Sequence, residues 1–563
     1  LAKEGRPIMK LTSLTLFAVA TAVILCGCDK SSSSAAESTG PSSSSAPTIA
    51  RIHWLGKKQI AAETNSAGLM RIWNEPESAR LEAQTLDKLS TAPWRLFKHV
   101  ATTNTASAKL LRPLLDDCVL HESYLEIRCA TNQPGELAFA IRVNAGRAAL
   151  WKTNLAAVLE SLTGISTTPV RDGWQLKKHE VPNLIELDEA GDWVLVGIGQ
   201  EKNALLADFR ARIRRGHAPF VAAATNFWVD VSLDLRRIAG SFALNWSLPA
   251  DFPSISMASV GDGEKIHTSG QLIFPAPLPI SLPAWAFPTN LIQWPLVGLT
   301  AVRGINPLLS RLKPFSLLPS NAVPNQLFEW ELLGTPPPLY IAMPVSDPTN
   351  TFNVVAGSTV QWLNLALPHV FGSVTNDPNA CTLAWNGMPF GSPSLQTITN
   401  GDRDYFLGGF IPYFQMKESM PGESLARILG GTNLVFFDLE TTGTRLNHWM
   451  YLDSIFRTIF DQRGPLFQQD SVAVQWFTHN LGTNLSECVT EARLAAPNRL
   501  TFIRDSTVGL TALELHFLVN WVETPEFPYG FQTFLVTNPL PVDLRPRIRR
   551  RPVTNAPAAN PRP

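Results

Sequence analysis

Apolar residues recur along this chain at two different spacings, and the spacing changes from segment to segment. In RLEAQTLDKLSTAPWRLFKHV, residues 80–100, they fall near every third or fourth position, the period of a helix with one buried face. Residues 67–125 read as mostly helical on that basis. Further on, short apolar runs succeed one another directly. GWQLKKHEVPNLIELDEAGDWVLVGIG, residues 173–199, alternates strand-length runs with turn residues between Asp188 and Asp192, the pattern of hairpins and meanders. The expected fold class is therefore α+β with mainly antiparallel sheet and packed helices, not a doubly wound parallel sheet.

The pattern also repeats. LAFAIRV (137–143) matches LYIAMPV (339–345), and AALWKTNLAAVLESL (148–162) matches NVVAGSTVQWLNLAL (353–367). DWVLVGIG (192–199) matches DYFLGGF (404–410), and NALLADFRARI (203–213) matches GESLARIL (422–429). TNFWVDVSLDL (225–235) matches TNLVFFDLETT (432–442), and VGLTAVRG (297–304) matches VGLTALEL (508–515). Matches that keep their order along a chain are what duplication followed by small insertions leaves. Thr511-Ala-Leu-Glu514 reads as a capping box opening a last helix, with Thr300 as the corresponding cap in the first copy. The expected layout is a helical N-terminal region at 49–130, a first α+β repeat at 131–320 and a second at 321–540.

The N-terminus reads as an address. Met9-Lys10 is a short basic start, and Leu11 to Leu25 is an apolar run too short to span a bilayer comfortably. It ends in Leu25-Cys26-Gly27-Cys28, which resembles the bacterial lipobox; that resemblance implies a diacylglyceryl anchor on Cys28 and a signal peptide over 1–28. Residues 29–48 are rich in Ser and poor in apolar bulk, so they read as a tether with a typical reach of ~25 Å. Residues 541–563, with five Arg between Arg545 and Arg551, read as a disordered tail that either solubilises the chain or touches anionic lipid headgroups, cell-wall polymers or a partner. With 45% hydrophobic and 17% charged residues the body has ample material for packed cores. Lys+Arg and Asp+Glu balance at 47 each, so no global field attracts polyanions and nucleic acid is not an expected partner.

With the signal and anchor set aside, four cysteines remain: Cys118, Cys129, Cys381 and Cys488. An oxidising compartment permits two disulfides, Cys118–Cys129 and Cys381–Cys488, and four buried thiols are an equal alternative. None of the spacings resembles a zinc site.

One stretch carries a chemical suggestion. LVFFDLETTG, residues 434–443, resembles the opening motif of proofreading-type exonucleases, in which Asp-x-Glu at a strand end holds two metal ions. The corresponding segment of the first copy, FWVDVSLDL, lacks Asp-x-Glu. His479-Asn480 is followed by Asn484 where that family has Asp, and His516 is followed by FLVNW, with no His-x4-Asp. Asp438 and Glu440 thus read as strand-end polar residues. GIGQEK (197–202) reads as a strand-to-helix turn, and Asp116-Asp117 and Asp402/Asp404 as solvated turns. IFPAPLPISLPAWAFPTNLIQWPL (273–296) has too many prolines for a helix and reads as apolar structure draped on a sheet, or as a ligand surface. No cofactor, metal or catalytic residue is assigned.

Taken together with RIHWLGKKQI and LEAQTLDKL, the lipobox, tether and repeated body resemble lipoproteins of the Verrucomicrobia/Planctomycetes type. Those lipoproteins have no established activity, so no site residues carry over. The resemblance implies a periplasm-facing, lipid-anchored protein of the bacterial cell envelope with a binding or scaffolding role. Its partner would be the bilayer together with an envelope protein or an apolar ligand; a carrier of apolar molecules and an enzyme with a dispersed site are the alternatives.

Overall fold

The computed structural model describes residues 46–98, 106–129, 135–177, 184–199, 203–221, 226–241, 248–366, 373–387, 391–414, 428, 430–459, 471–480, 484–524 and 527–528. The stretch read as a signal peptide, with Cys28, nearly all of the stretch read as a tether, and the Arg/Pro-rich tail lie outside these residues. Among the described residues the fold is mixed α/β, with twelve α-helices and one large antiparallel sheet of twenty strands.

Read from one outer edge to the middle, the sheet begins with β4 (Thr168–Val170), β5 (Gly173–Lys177), β6 (Leu184–Ala190), β7 (Trp193–Gly199) and β3 (Glu136–Arg142). It continues through β2 (Ser123–Arg128), β1 (Thr48–Trp54), β8 (Val229–Leu233), β9 (Ser254–Gly261) and β10 (Ile266–Ile273). From the other edge come β14 (Ser373–Asp377), β15 (Thr382–Asn386), β16 (Ser394–Asn400), β17 (Arg403–Gly409) and β13 (Leu339–Val345). Then follow β12 (Gln326–Leu332), β11 (Leu296–Arg303), β18 (Leu434–Thr441), β19 (Glu487–Ala496) and β20 (Arg499–Ser506). The series meet where β10 pairs with β20, from Ile266↔Ser506 to Ile273↔Arg499.

Helices cover both faces of the first series, which is why β7 reads as a continuous apolar run: WVLVGIG is buried at every position. Helix α5 (Ala145–Thr163) packs Trp151, Leu155 and Leu159 on Phe139 and Val196. On the opposite face α6 (Ala204–Arg214) packs Leu205, Leu206 and Phe209 on Ala138 and Leu195. Both start at an Asn whose side chain accepts a backbone N–H of the first turn, Asn144 from Arg147 and Asn203 from Leu206. In the second series α9 (Pro348–Ala366) packs Phe352 and Val355 against Met343 and Phe406. The other face is covered by the proline-rich segment. Trp285, Phe287 and Ile292 are buried against Phe328, Trp330 and Tyr340, with Phe287 edge-on to Phe328 at 5.1 Å between centroids. Arg303 fastens this cover. Its guanidinium donates to the carbonyls of Leu434, Pro283, Gly431 and Thr432 and lies over the Trp285 ring.

Residues 49–130 do not simply precede the sheet. They supply β1 and β2, and between these run α1 (Lys57–Ile60), α2 (Ala67–Trp73), α3 (Pro76–Lys98) and α4 (Ala106–Leu120). These helices meet α11 (Val472–Asn480) and α12 (Ala512–Glu523) from the far end of the chain. Leu86 and Leu89 pack with Trp521 and Val522, and Trp476 Nε1 donates to Ser78 Oγ at 2.7 Å. Three further helices are α7 (Leu235–Ser241), α8 (Asn306–Leu309) and α10 (Thr442–Ile459).

The capping box at Thr511 and Glu514 is present. One sequence match fails: VGLTAVRG is strand β11, whereas VGLTALEL crosses a turn into α12, so Thr300 lies mid-strand and caps nothing.

At the β10–β20 ladder Gly270 sits opposite Phe502, and a Cβ on Gly270 would stand 2.5 Å from the Phe502 ring and 2.5 Å from the Ser256 carbonyl oxygen. Gly270→Ala is expected to lower unfolding stability by about 1–3 kcal/mol, the usual range for overpacking. A chemical denaturation midpoint that does not move would refute this close approach.

Candidate functional site

A cluster of enclosed polar residues in the second series lies on one face of β11, β12 and β18. Strand β11 lies between the other two, so Thr300 pairs with both Glu329 and Asp438, and Gly298 with both Glu331 and Glu440. Side chains two apart on a strand share a face, so four carboxylates and one hydroxyl converge there. Helix α10 crosses this face and sends Arg445 into the centre. Arg445 Nη1 donates to Asp438 Oδ1 at 2.8 Å and Glu440 Oε2 at 3.2 Å. Its Nη2 donates to Glu329 Oε2 at 2.6 Å and Thr300 Oγ1 at 3.0 Å, and its Nε faces Glu331 Oε2 at 3.6 Å. One turn on, His448 Nδ1 meets Glu331 Oε1. Gly298 makes room: a Cβ there would stand 2.8 Å from Arg445 Nε.

Helix α12 closes the cluster with its N-terminus. The Ala512 N–H donates to Glu440 Oε1 at 2.6 Å, where the helix dipole favours negative charge. Glu514 caps Thr511 and also takes a two-pronged contact from Arg504, whose Nε donates to Thr490, the β19 partner of Asp438. The Arg445 side chain is only 6% exposed and that of Glu440 1%.

Burial and the neighbouring Asp438 push the Glu440 carboxyl up to about 7, against the pull of Arg445 and the hydrogen bonds from Ala512 and Thr442. Burial likewise raises Glu329. For Arg445, burial acts to lower the pKa, but the surrounding carboxylates outweigh it and hold the guanidinium charged. The cluster is a resident cation enclosed by acids.

The strand-end reading of Asp438 and Glu440 is therefore corrected: both are interior residues, buried beneath α10 and α12. The other two stations of the exonuclease comparison point elsewhere. Asn484 donates to Glu75 at 2.7 Å, and His479 is half exposed near Glu77. The Asp116-Asp117 pair is not a turn but lies in α4, where Asp117 is buried and takes Arg147 and the Trp151 N–H. Neither the Cys118–Cys129 nor the Cys381–Cys488 bridge is formed; burial pushes the Cys118 thiol up to about 12, and that of Cys488, beside Glu440, also to about 12.

In the first series β1 lies between β2 and β8, as β11 lies between β12 and β18. Ile52 pairs with Leu125 and Val231, and Ala50 with Ile127 and Leu233, all of them in an apolar core. Ile238, seven residues after Val231 as Arg445 is after Asp438, is buried in the same core. The same arrangement of strands is built once in hydrocarbon and once in charge.

No family model, curated protein or solved structure matches the chain. Among the described residues no helix is long and apolar enough to cross a membrane, and no group of His, Cys, Asp and Glu is arranged to hold a metal ion.

Two predictions follow from the cluster's electrostatics. Arg445→Met strands the buried carboxylates and is expected to cost about 3–5 kcal/mol at neutral pH, whereas exchanging Arg445 and its strand partners for their apolar counterparts (Thr300→Ile, Glu329→Leu, Asp438→Val, Gly298→Ala, Glu331→Ile, Glu440→Leu, Arg445→Ile), together with His448→Leu, is expected to leave the chain folded. Circular dichroism and denaturant titration separate the two outcomes. For pH, the folded Glu440 binds a proton more tightly than the unfolded residue does, so its contribution to stability falls as pH rises from 4.5 to about 7. Glu440→Gln is expected to flatten the stability profile in that window by up to about 1.4 kcal/mol per pH unit; an unchanged slope would place the titration elsewhere.

Proposed function

We propose that this chain is a lipid-anchored, periplasm-facing lipoprotein of the bacterial cell envelope, built from a duplicated α/β unit, that acts by binding or scaffolding and not by catalysis. The observation that carries the non-catalytic part is the position of Arg445. Its guanidinium and the hydrogen bonds from His448 and Ala512 engage the carboxylates that a hydrolytic site would need for a substrate. In this reading the cluster fixes α10 and α12 on the sheet.

The duplication is supported by strand order: the second series is the first with each strand number raised by ten. The last strand of one series pairs antiparallel with the last strand of the other, β10 with β20, as equivalent strands do in a two-fold interface between identical subunits. On this reading the copies run over 48–273 and 296–506, because β1 and β2 belong to the first copy. The anchor rests on Leu25-Cys26-Gly27-Cys28.

An enzymatic reading has one observation in its favour, the raised Glu440 beside Asp438. The exonuclease form of it is disfavoured, because Arg445 bridges the two carboxylates that would hold the metals. The carrier reading is weakened by Trp285 and Phe287, which spend their rings on the protein's own core.

Expression in a bacterium that processes lipoproteins tests the anchor. The wild-type chain is expected in the membrane fraction with a diacylglyceryl mass on the peptide beginning at Cys28, and Cys28→Ala is expected to abolish that mass. An unmodified Cys28 in the wild type would refute the lipoprotein reading. Native mass spectrometry of the detergent-free Cys28→Ala protein is expected to give the bare chain mass; a retained lipid-sized adduct would favour the carrier instead.

A further inference from the structure

Every neighbouring pair in the sheet is antiparallel, so the direction of each strand follows from counting ladders. Seven ladders separate β1 from β11, through β8, β9, β10, β20, β19 and β18, and the two strands therefore run in opposite directions. The end of the sheet at which β1 begins, at Thr48, is the end at which β11 finishes, at Arg303. Strand β10 also finishes there, at Ile273. One end of the sheet thus collects the entry of the chain from its N-terminal segment, the start of the proline-rich segment and the β11–β12 connection. The last two touch: Asn325 Nδ2 donates to the Ser281 carbonyl, and Gly304 lies against Ile280 and Leu282.

The β11–β12 connection divides its leucines by direction. Leu309 and Leu318 are buried in the core under α9, whereas Leu308, Leu312 and Leu317 are 47%, 48% and 59% exposed. Exposed beside them are Arg311 and Lys313. The charge of the region is one-sided. From Lys265 to Phe328 the sequence has no Asp or Glu, in a chain with 47 acids among 563 residues. An exposed apolar segment with basic flanks and no acid of its own is the composition that an anionic lipid surface attracts, and acids at this end of the sheet, Asp347 and Asp402 among them, flank the neighbouring strands β13 and β17.

We infer that residues 273–283 and 304–320 form a membrane-docking rim that lays Leu308, Leu312 and Leu317 into the interface of an anionic bilayer. The inference deepens the reading of Cys28 as an anchor, because the anchored segment enters the sheet at this same end. Docking holds the sheet upright on its rim, with the opposite end facing away from the lipid. Leu333, 69% exposed, follows the seven-residue strand β12 and marks that opposite end, about 24 Å away.

The test uses the full-length lipidated protein in vesicles of phosphatidylethanolamine and phosphatidylglycerol, labelled with an environment-sensitive fluorophore at Leu312→Cys or Leu333→Cys, with the unsubstituted chain labelled in parallel as the blank. The probe at 312 is expected to shift to the blue and to be quenched by spin-labelled lipid, and the probe at 333 to do neither. Arg311→Ala and Lys313→Ala are each expected to weaken docking about fivefold. Equal behaviour at 312 and 333 would overturn the rim. So would a lipid-independent signal at 312 that grows with protein concentration, which would assign the surface to a second copy. If the mass of the Cys28 peptide shows no lipid, the anchor reading fails on that measurement alone; the labelled chain is then added to the same vesicles from solution, and the two probe positions still decide the rim.

Discussion

The β10–β20 ladder makes one sheet out of two. Without it each ten-strand series would end in an eight-residue edge strand, with a row of unpaired backbone donors and acceptors ready to recruit another chain. Paired to each other, the two strands remove that hazard from the middle of the molecule. The outer edges are blunted by different means. Strand β4 has three residues, one of them Pro169, and β14 is the polar SVTND. The long, regular edges face each other, and the short or polar ones face water.

Against that scaffold the buried cluster is a choice the fold does not require. The apolar set around Ile52 and Ile238 shows that the same strands and the same crossing helix can be packed with hydrocarbon. Charge costs desolvation, and the attraction within a buried ion network repays it only when geometry and hydrogen bonding are good. Here a glycine makes the geometry possible: Gly298 lets the Arg445 side chain lie on the strand between four acids, with four hydrogen bonds from its two terminal nitrogens and its Nε left 3.6 Å from Glu331. In return the interaction is directional. Hydrocarbon would let α10 and α12 slide, whereas a guanidinium held by Asp438, Glu440 and Glu329, and a helix N-terminus aimed at Glu440, fix both helices in angle and register.

The sequence made the strands legible where burial acts on both faces. The runs at β3, β7 and β8, and their relatives at β13, β17 and β18, could be matched because each keeps its apolar positions over seven residues or so. The VGLTA match failed because five identical residues carry no period; the Thr-x-x-Glu box at Thr511 was the better guide. The cluster was half legible. Asp438 and Glu440 announced themselves, but as the end of a strand. Glu329 and Glu331, alternating with Phe328, Trp330 and Leu332, look like the wet face of a half-buried strand. What covers that face are helices beginning at residues 442 and 512, more than a hundred positions away. A local pattern cannot show whether an acid-bearing face meets water or a distant arginine.

If the halves are copies related by a two-fold axis at the β10–β20 ladder, one consequence is geometric. Such an axis places equivalent connections at opposite ends of the sheet. The β1–β2 connection has grown into the helices α1 to α4, which reach over to α11 and α12. The β11–β12 connection, at the other end, holds a single α-helix, the one-turn α8, and a leucine-rich stretch. Unequal growth of the connections, at β1–β2 and again at β18–β19, which carries α10 and α11 where β8–β9 carries α7, therefore gave a nearly symmetric sheet two unlike ends, one capped by helices from both termini of the described chain and one carrying an exposed leucine-rich connection. On the proposed reading, a scaffold fixed at one end would use that polarity, and unequal growth of the connections supplies it without altering a single strand pairing.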